Sequence, residues 1–112
     1  MTESQVLVHY RRYNKKFFDG KLPQHVPIKF VDVPKNSFCG LTTMVAVDGL
    51  ALQAIYLDKA LKERDSLIKF SLLHEMVHVK FNPISTAVDA HGPEFEDEMI
   101  RLACRGAFKG IW

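Results

Sequence analysis

The sequence contains two histidines four residues apart with a glutamate between them, His74-Glu75-Met76-Val77-His78. On a helix, residues at this spacing lie on one face with Cβ atoms roughly 5–6 Å apart, so two imidazoles can bind one metal ion. Glu75 is rotated by about 100° from His74 around the helix axis, which places its carboxylate beside the ion rather than on it. The spacing therefore predicts a zinc site in which Glu75 takes a proton from a metal-bound water.

An alternative is that His74 and Glu75 form a satisfied polar pair in the core and that His78 lies on the surface. The residues around the motif are apolar on almost every side, as expected of a buried helix, and a polar group left unsatisfied there costs roughly 2–7 kcal/mol. The alternative explains the three residues singly but does not explain their spacing. The metal site is therefore the favoured interpretation.

A catalytic zinc ion commonly has three protein ligands and one open position, so the two histidines need a companion. His91 follows the motif after a loop and stands directly before Gly92, whose conformational freedom allows a tight approach. Glu94 is the competing candidate, because some HExxH enzymes use a downstream glutamate. His9 and His25, in the first predicted helix and the turn after it, are expected to be surface residues. His91 is the favoured third ligand.

Helices are predicted before the motif, around it and after it. Residues 2–5 match a capping box at the start of an amphipathic helix. The motif helix is expected to be capped by Asp65 or Ser66 and to end before Asn82-Pro83. A final helix is predicted over residues 93–105. Its first turns hold an acidic cluster that is favourable at the positive end of a helix dipole: Glu94, Glu96, Asp97 and Glu98.

Three strand-like runs precede the motif helix, at residues 28–33, 41–47 and 50–57. Asp48-Gly49 separates the last two runs and is a residue pair favoured in type I′ hairpins. We therefore expect an α+β fold with an N-terminal helix, a three-stranded and mainly antiparallel sheet, the motif helix and a C-terminal helix. The length of 112 residues predicts a single domain spanning residues 1–112.

Composition excludes several classes of protein. With 47% hydrophobic and 25% charged residues, the chain resembles an ordinary globular protein, and a net charge of +2 does not require a nucleic-acid partner. No secretory signal and no uninterrupted span of about 20 apolar residues are visible. We expect an intracellular protein, cytoplasmic or nuclear, without a membrane partner. Cys39 and Cys104 cannot form a four-cysteine zinc ribbon, and both are predicted to be buried free thiols.

The first helix interleaves basic and aromatic residues, so DNA is a candidate partner at this surface. The favoured alternative is that the aromatic rings pack inward and the cations form a solvated face. The basic residues are Arg11, Arg12, Lys15 and Lys16, and the aromatic ones are Tyr10, Tyr13, Phe17 and Phe18.

The motif and the segment that follows it resemble a known family. Leu73–His78 and the sequence Asp89-Ala90-His91-Gly92-Pro93-Glu94-Phe95 are similar to the SprT-like zinc metalloproteases, which include the Spartan DNA-protein crosslink proteases. The segments Phe17–Pro23 and Ile55–Leu57 also resemble that family, so the resemblance covers nearly the whole chain.

The resemblance implies a zincin-like metalloprotease domain with one zinc ion held by His74, His78 and His91. It also implies that Glu75 is the catalytic acid/base. The predicted function is that of a zinc-dependent endopeptidase that hydrolyses proteins or peptides, with DNA-associated proteins among its expected substrates.

Two other functions are compatible with the same residues. One is a binding module with a structural metal site, in which the carboxyl-terminal end contacts DNA or a partner through Arg101, Arg105, Lys109 and Trp112. The intact Glu75 argues against this module, because a structural site needs no general base. The other is a regulatory protease that acts on one dedicated protein without DNA.

Overall fold

The computed structural model describes residues 1–33, 40–81 and 92–111. These residues form an α+β domain with three α-helices and a three-stranded sheet, which confirms the α+β part of the predicted fold. The elements, in chain order, are α1 (Glu3–Phe17), β1 (Ile28–Val31), β2 (Gly40–Val47), β3 (Leu50–Asp58), α2 (Asp65–Phe81) and α3 (Pro93–Cys104). A short 3₁₀ turn over Lys59–Leu61 connects β3 to α2.

The sheet has the strand order β1-β3-β2, with β3 in the centre. Strands β2 and β3 are antiparallel, and both Asp48 (φ 50°) and Gly49 (φ 79°) have the positive φ that a type I′ turn requires. Strand β1 is parallel to β3, with Ile28 opposite Ile55. The sheet is therefore mixed, and the predicted mainly antiparallel arrangement is wrong for β1, which pairs with the central strand instead of its neighbour in sequence.

Helix α1 begins with the predicted capping box. The backbone N–H of Gln5 donates to Thr2 Oγ1 (3.2 Å), and the backbone N–H of Thr2 donates to Gln5 Oε1 (2.8 Å). At the other end, the buried Asn14 side chain donates to Leu22 O (2.9 Å) and accepts from Leu22 N (3.0 Å). These two bonds fasten the segment after α1 to the helix.

The aromatic residues of the first helix pack inward. Tyr10, Phe17 and Phe18 are buried, Tyr13 is half-buried, and the Tyr10 hydroxyl donates to Pro23 O at 2.6 Å. The four cations interleaved with these rings are exposed, so the inward-packing interpretation is confirmed.

Helix α2 is the central helix, packed against α1, α3, β2 and β3. As its apolar sequence predicts, it is buried on most sides. The helix begins at Asp65, so Asp65 and Ser66 both lie in its first turn and neither precedes it. The prediction that one of them is the capping residue is therefore wrong by one or two positions. Its buried residues are Ile68, Ser71, Leu72, Leu73, Glu75, Met76, Val77 and Val79.

Helix α3 begins at Pro93, the predicted first residue, and ends at Cys104. Cys104 is a free thiol, but it is exposed, so its predicted burial is wrong; Cys39 lies outside the described residues. Within residues 1–33, 40–81 and 92–111, the helices lack the combination of length and apolar content that crossing a bilayer demands.

Candidate metal centre

Helix α2 brings His74, Glu75 and His78 together near the start of α3. The two imidazole rings have centroids 5.0 Å apart, and one potential ligand atom from each of the three side chains lies within 4.8 Å of the others. Both histidines are half-buried, whereas the Glu75 side chain is only 5% exposed. This group can hold a metal ion.

The donor set fits a first-row transition metal. Neutral imidazole nitrogens are good ligands for such ions, and ligands bonded at about 2.0–2.1 Å in a tetrahedral site are about 3.4 Å apart. One ring nitrogen of His74 and one of His78 lie within 4.8 Å of each other, so the two imidazoles can share one ion with the Glu75 carboxylate beside it.

The imidazoles are held by aromatic packing. The ring of Phe95, a buried residue of α3, lies 4.9 Å from the ring of His74 and 4.7 Å from that of His78, measured between centroids. Phe70 lies behind His74 at 6.4 Å, and Phe108 packs on Phe70 at 5.6 Å. These contacts restrict the orientation of the two histidines and shield them from water.

The same geometry bears on the alternative of a polar core pair. His74 Nε2 and Glu75 Oε2 are 3.9 Å apart, which is too far for a hydrogen bond between them. His78 is half-buried against Phe95 rather than being a surface residue. The half-burial of His78 does not fit the surface position that the alternative gives it.

The two oxygens of the Glu75 carboxylate face different neighbours. The Thr42 hydroxyl, on β2, donates to Glu75 Oε1 at 2.7 Å, while Oε2 lies on the side of the His74 imidazole. The helix thus supplies the carboxylate, and the sheet fixes one of its two oxygens. Sequence reasoning did not find Thr42, because nothing in the sequence reveals which face of β2 meets the helix.

Gly40 forms the second contact of β2 with Glu75. A Cβ atom at this position would lie 3.1 Å from Glu75 Oε2, 3.2 Å from Glu75 Cγ and 3.1 Å from Tyr56 O. Distances this short require neighbouring atoms to move, so the missing side chain is what lets the strand pass so close to the carboxylate.

Burial raises the pKa of Glu75 to about 7, although the hydrogen bond from Thr42 acts in the opposite direction. A cation bound beside the carboxylate would lower this pKa, because it favours the charged form. A carboxyl group that titrates near neutral pH can both accept and return a proton.

Helix α3 is fastened to its neighbours through Glu98. Its buried carboxylate pairs with Lys80 of α2 and with Arg101, and Arg101 Nη2 also donates to Phe17 O at 2.8 Å at the end of α1. Burial alone would raise the pKa of Glu98, but the hydrogen bonds from Arg101 and Lys80 outweigh it and hold the pKa below its ordinary value.

The acidic cluster of α3 is therefore not uniform. Glu94, Glu96 and Asp97 are exposed, as expected for residues that stabilise a helix terminus, whereas Glu98 belongs to the buried ion pairs. Its position three residues after Phe95 places it on the buried face, a signal that the sequence does contain.

The other predicted ligands have different outcomes. His91 lies outside the described residues, so its role as a ligand stays a prediction. Glu94 is exposed on the first turn of α3 and is not a member of the described His74, Glu75 and His78 group. His25 is exposed as expected, whereas His9 is half-buried.

Comparisons of the chain with models of protein families, with curated proteins and with solved structures find no match. The resemblance to the SprT-like family stays a prediction.

Proposed function

We propose that the protein is a zinc-dependent endopeptidase with a zincin-like fold. The observation that carries this proposal is a pair of imidazoles on one helix face, at 5.0 Å between centroids, next to a buried and tethered carboxylate. A structural metal site has no use for such a carboxylate, whereas hydrolysis needs a base beside the ion. The resemblance of the motif to SprT-like metalloproteases points the same way.

In this proposal His74 and His78 would hold the ion, with His91 as the third ligand. A zinc ion bound there would polarise the scissile carbonyl and make water a better nucleophile at neutral pH. Glu75 accepts the proton of the attacking water through Oε2, the oxygen on the side of His74. It then gives that proton to the leaving amine, so the carboxylate serves as base and acid in turn.

The proposed substrate is an extended protein or peptide segment that pairs with β2. This strand lies at the edge of the described sheet, on the opposite side from β1. It also carries Thr42 and Gly40, the two residues in contact with Glu75. Strand addition along β2 would bring a peptide bond to the carboxylate, and backbone pairing accepts many side chains.

The DNA-related part of the proposal rests on the family resemblance. The binding-module alternative proposes four contact residues, and one of them already has partners within the protein, because Arg101 pairs with Glu98 and donates to Phe17 O. Arg105 and Lys109 are exposed, and Trp112 lies outside the described residues. A protease that acts on DNA-bound proteins and one that acts without DNA both keep the same active centre.

One experiment separates these functions. The zinc-loaded protein, a chelator-treated sample and a zinc-reloaded sample are incubated with a DNA-binding protein, with and without single-stranded DNA, and new amino termini are identified by mass spectrometry. The proposal expects cleavage that chelation abolishes and zinc restores. Stimulation by DNA supports action on DNA-bound proteins, and equal cleavage without DNA supports the regulatory protease. Zinc and DNA binding without any cleavage would contradict the proposed enzyme.

A further inference from the structure

We infer that Thr42 is the positioning residue of the proposed general base, holding one carboxylate oxygen of Glu75 so that the other faces the metal site. The inference rests on the proposed function for its kinetic consequence. Its structural consequence, a fixed orientation of the Glu75 side chain, can be measured without any activity.

The hydrogen bond has the length expected of a good O–H···O contact. Thr42 Oγ1 lies 2.7 Å from Glu75 Oε1 and 3.3 Å from the backbone oxygen of the same residue. A hydroxyl has one proton to donate. The carboxylate oxygen is both the nearer and the stronger of the two acceptors. The proton of Thr42 therefore belongs to the carboxylate, and Oε1 is held by it.

The donor is itself rigidly placed. Thr42 lies opposite Ile55 in the antiparallel pairing, and Ile55 is fully buried in the central strand. A β-branched side chain also has few χ1 rotamers, so the hydroxyl has little freedom relative to the sheet. A glutamate side chain, in contrast, has three rotatable bonds, and α2 alone fixes only its Cα–Cβ direction.

Gly40 lies close to the second carboxylate oxygen. It is two residues before Thr42 on the same face of the same strand, and a Cβ atom at this position would lie 3.1 Å from Oε2, the oxygen that Thr42 does not hold. The orientation of the carboxylate is thus set by β2 and not by the motif helix. A general base displaced by about 1 Å can lose roughly a hundredfold in rate, so this placement has a kinetic consequence.

Three substitutions test the inference. Thr42→Val removes the hydroxyl while keeping the β-branched shape, and Thr42→Ser keeps the hydroxyl while removing the methyl group. Thr43→Val is the matched control. It makes the same chemical change at the next residue of the strand, which pairs with Ala54 and whose side chain lies on the other face of the sheet. Zinc content and melting temperature are measured for all three, together with kcat and KM for peptide hydrolysis and a crystal structure of each.

Thr42→Val should lower kcat roughly tenfold to a hundredfold with KM and zinc content unchanged. Thr42→Ser should restore most of the loss, and Thr43→Val should behave like the parent. In the crystal structures, Glu75 Oε1 should leave its position only in Thr42→Val. An unchanged Glu75 conformation in Thr42→Val, or equal kinetic effects of Thr42→Val and Thr43→Val, would overturn the inference.

The two proposals fail in different ways. If the zinc-loaded parent hydrolyses nothing, the proposed peptidase is wrong, and the Glu75 conformation in the Thr42→Val and Thr43→Val structures still decides whether Thr42 positions the carboxylate.

Discussion

Replacing Glu98 by glutamine should destabilise the fold, because it removes the charge that Lys80 and Arg101 share while preserving the shape of the side chain. Glu98 is 5% exposed, but Lys80 and Arg101 are 40% and 34% exposed and can regain water when the pair is lost. The cost should therefore be lower than the 3–5 kcal/mol typical of fully buried pairs and closer to about 1–3 kcal/mol for charged hydrogen bonds. For a domain of this size, that corresponds to a fall in Tm of about 4–12 °C.

The pH dependence of this effect has a definite sign. Because the folded-state pKa of Glu98 is lowered, the ion pairs contribute fully above the unfolded-state pKa of about 4.3. The contribution is lost as the pH falls through the folded-state pKa. The difference in unfolding free energy between parent and Glu98→Gln should thus be largest near neutral pH and shrink in acid.

Urea denaturation from neutral to acidic pH measures this difference. The matched control is Glu96→Gln, which changes an exposed glutamate on the same helix and should leave stability essentially unchanged. Equal effects of the two substitutions, or a difference that does not vary with pH, would refute the role assigned to Glu98.

Two further predictions concern the metal centre. His91→Ala should reduce the zinc content of the purified protein whereas Glu94→Ala should not, as measured by metal analysis; the opposite result would make Glu94 the third ligand. Gly40→Ala should slow peptide hydrolysis by about tenfold or more while zinc stays bound, because the added Cβ would lie 3.1 Å from Glu75 Oε2. Unchanged hydrolysis in this variant would show that the contact is not needed.

Local sequence signals predicted the elements well. The capping box at Thr2, the turn at Asp48-Gly49 and the helix start at Pro93 depend on side chains within a few residues of the backbone that they stabilise. The grouping of His74, Glu75 and His78 depends only on helix periodicity, so it too could be predicted.

Features that depend on contacts between distant segments could not be predicted. Strand β1 pairs with β3 although the β2 edge of the hairpin has no partner strand among the described residues, and turn chemistry does not indicate which edge β1 joins. The contact of Thr42 with Glu75 depends on the register between β2 and β3 and on the placement of α2. Glu98 was predictable only in part. Its spacing from Phe95 indicates the buried face of α3, but its cationic partner Lys80 belongs to another helix and could not be predicted.

The central claim is that Glu75 acts beside a metal ion that the histidines hold. It is tested most directly by X-ray absorption at the zinc edge and peptide hydrolysis on the same preparations of parent and Glu75→Gln. The account predicts equal zinc content and an equal number of imidazole ligands in both, with hydrolysis reduced by about a hundredfold or more in the variant. A variant that hydrolyses as fast as the parent, or one that loses the ion, would contradict it.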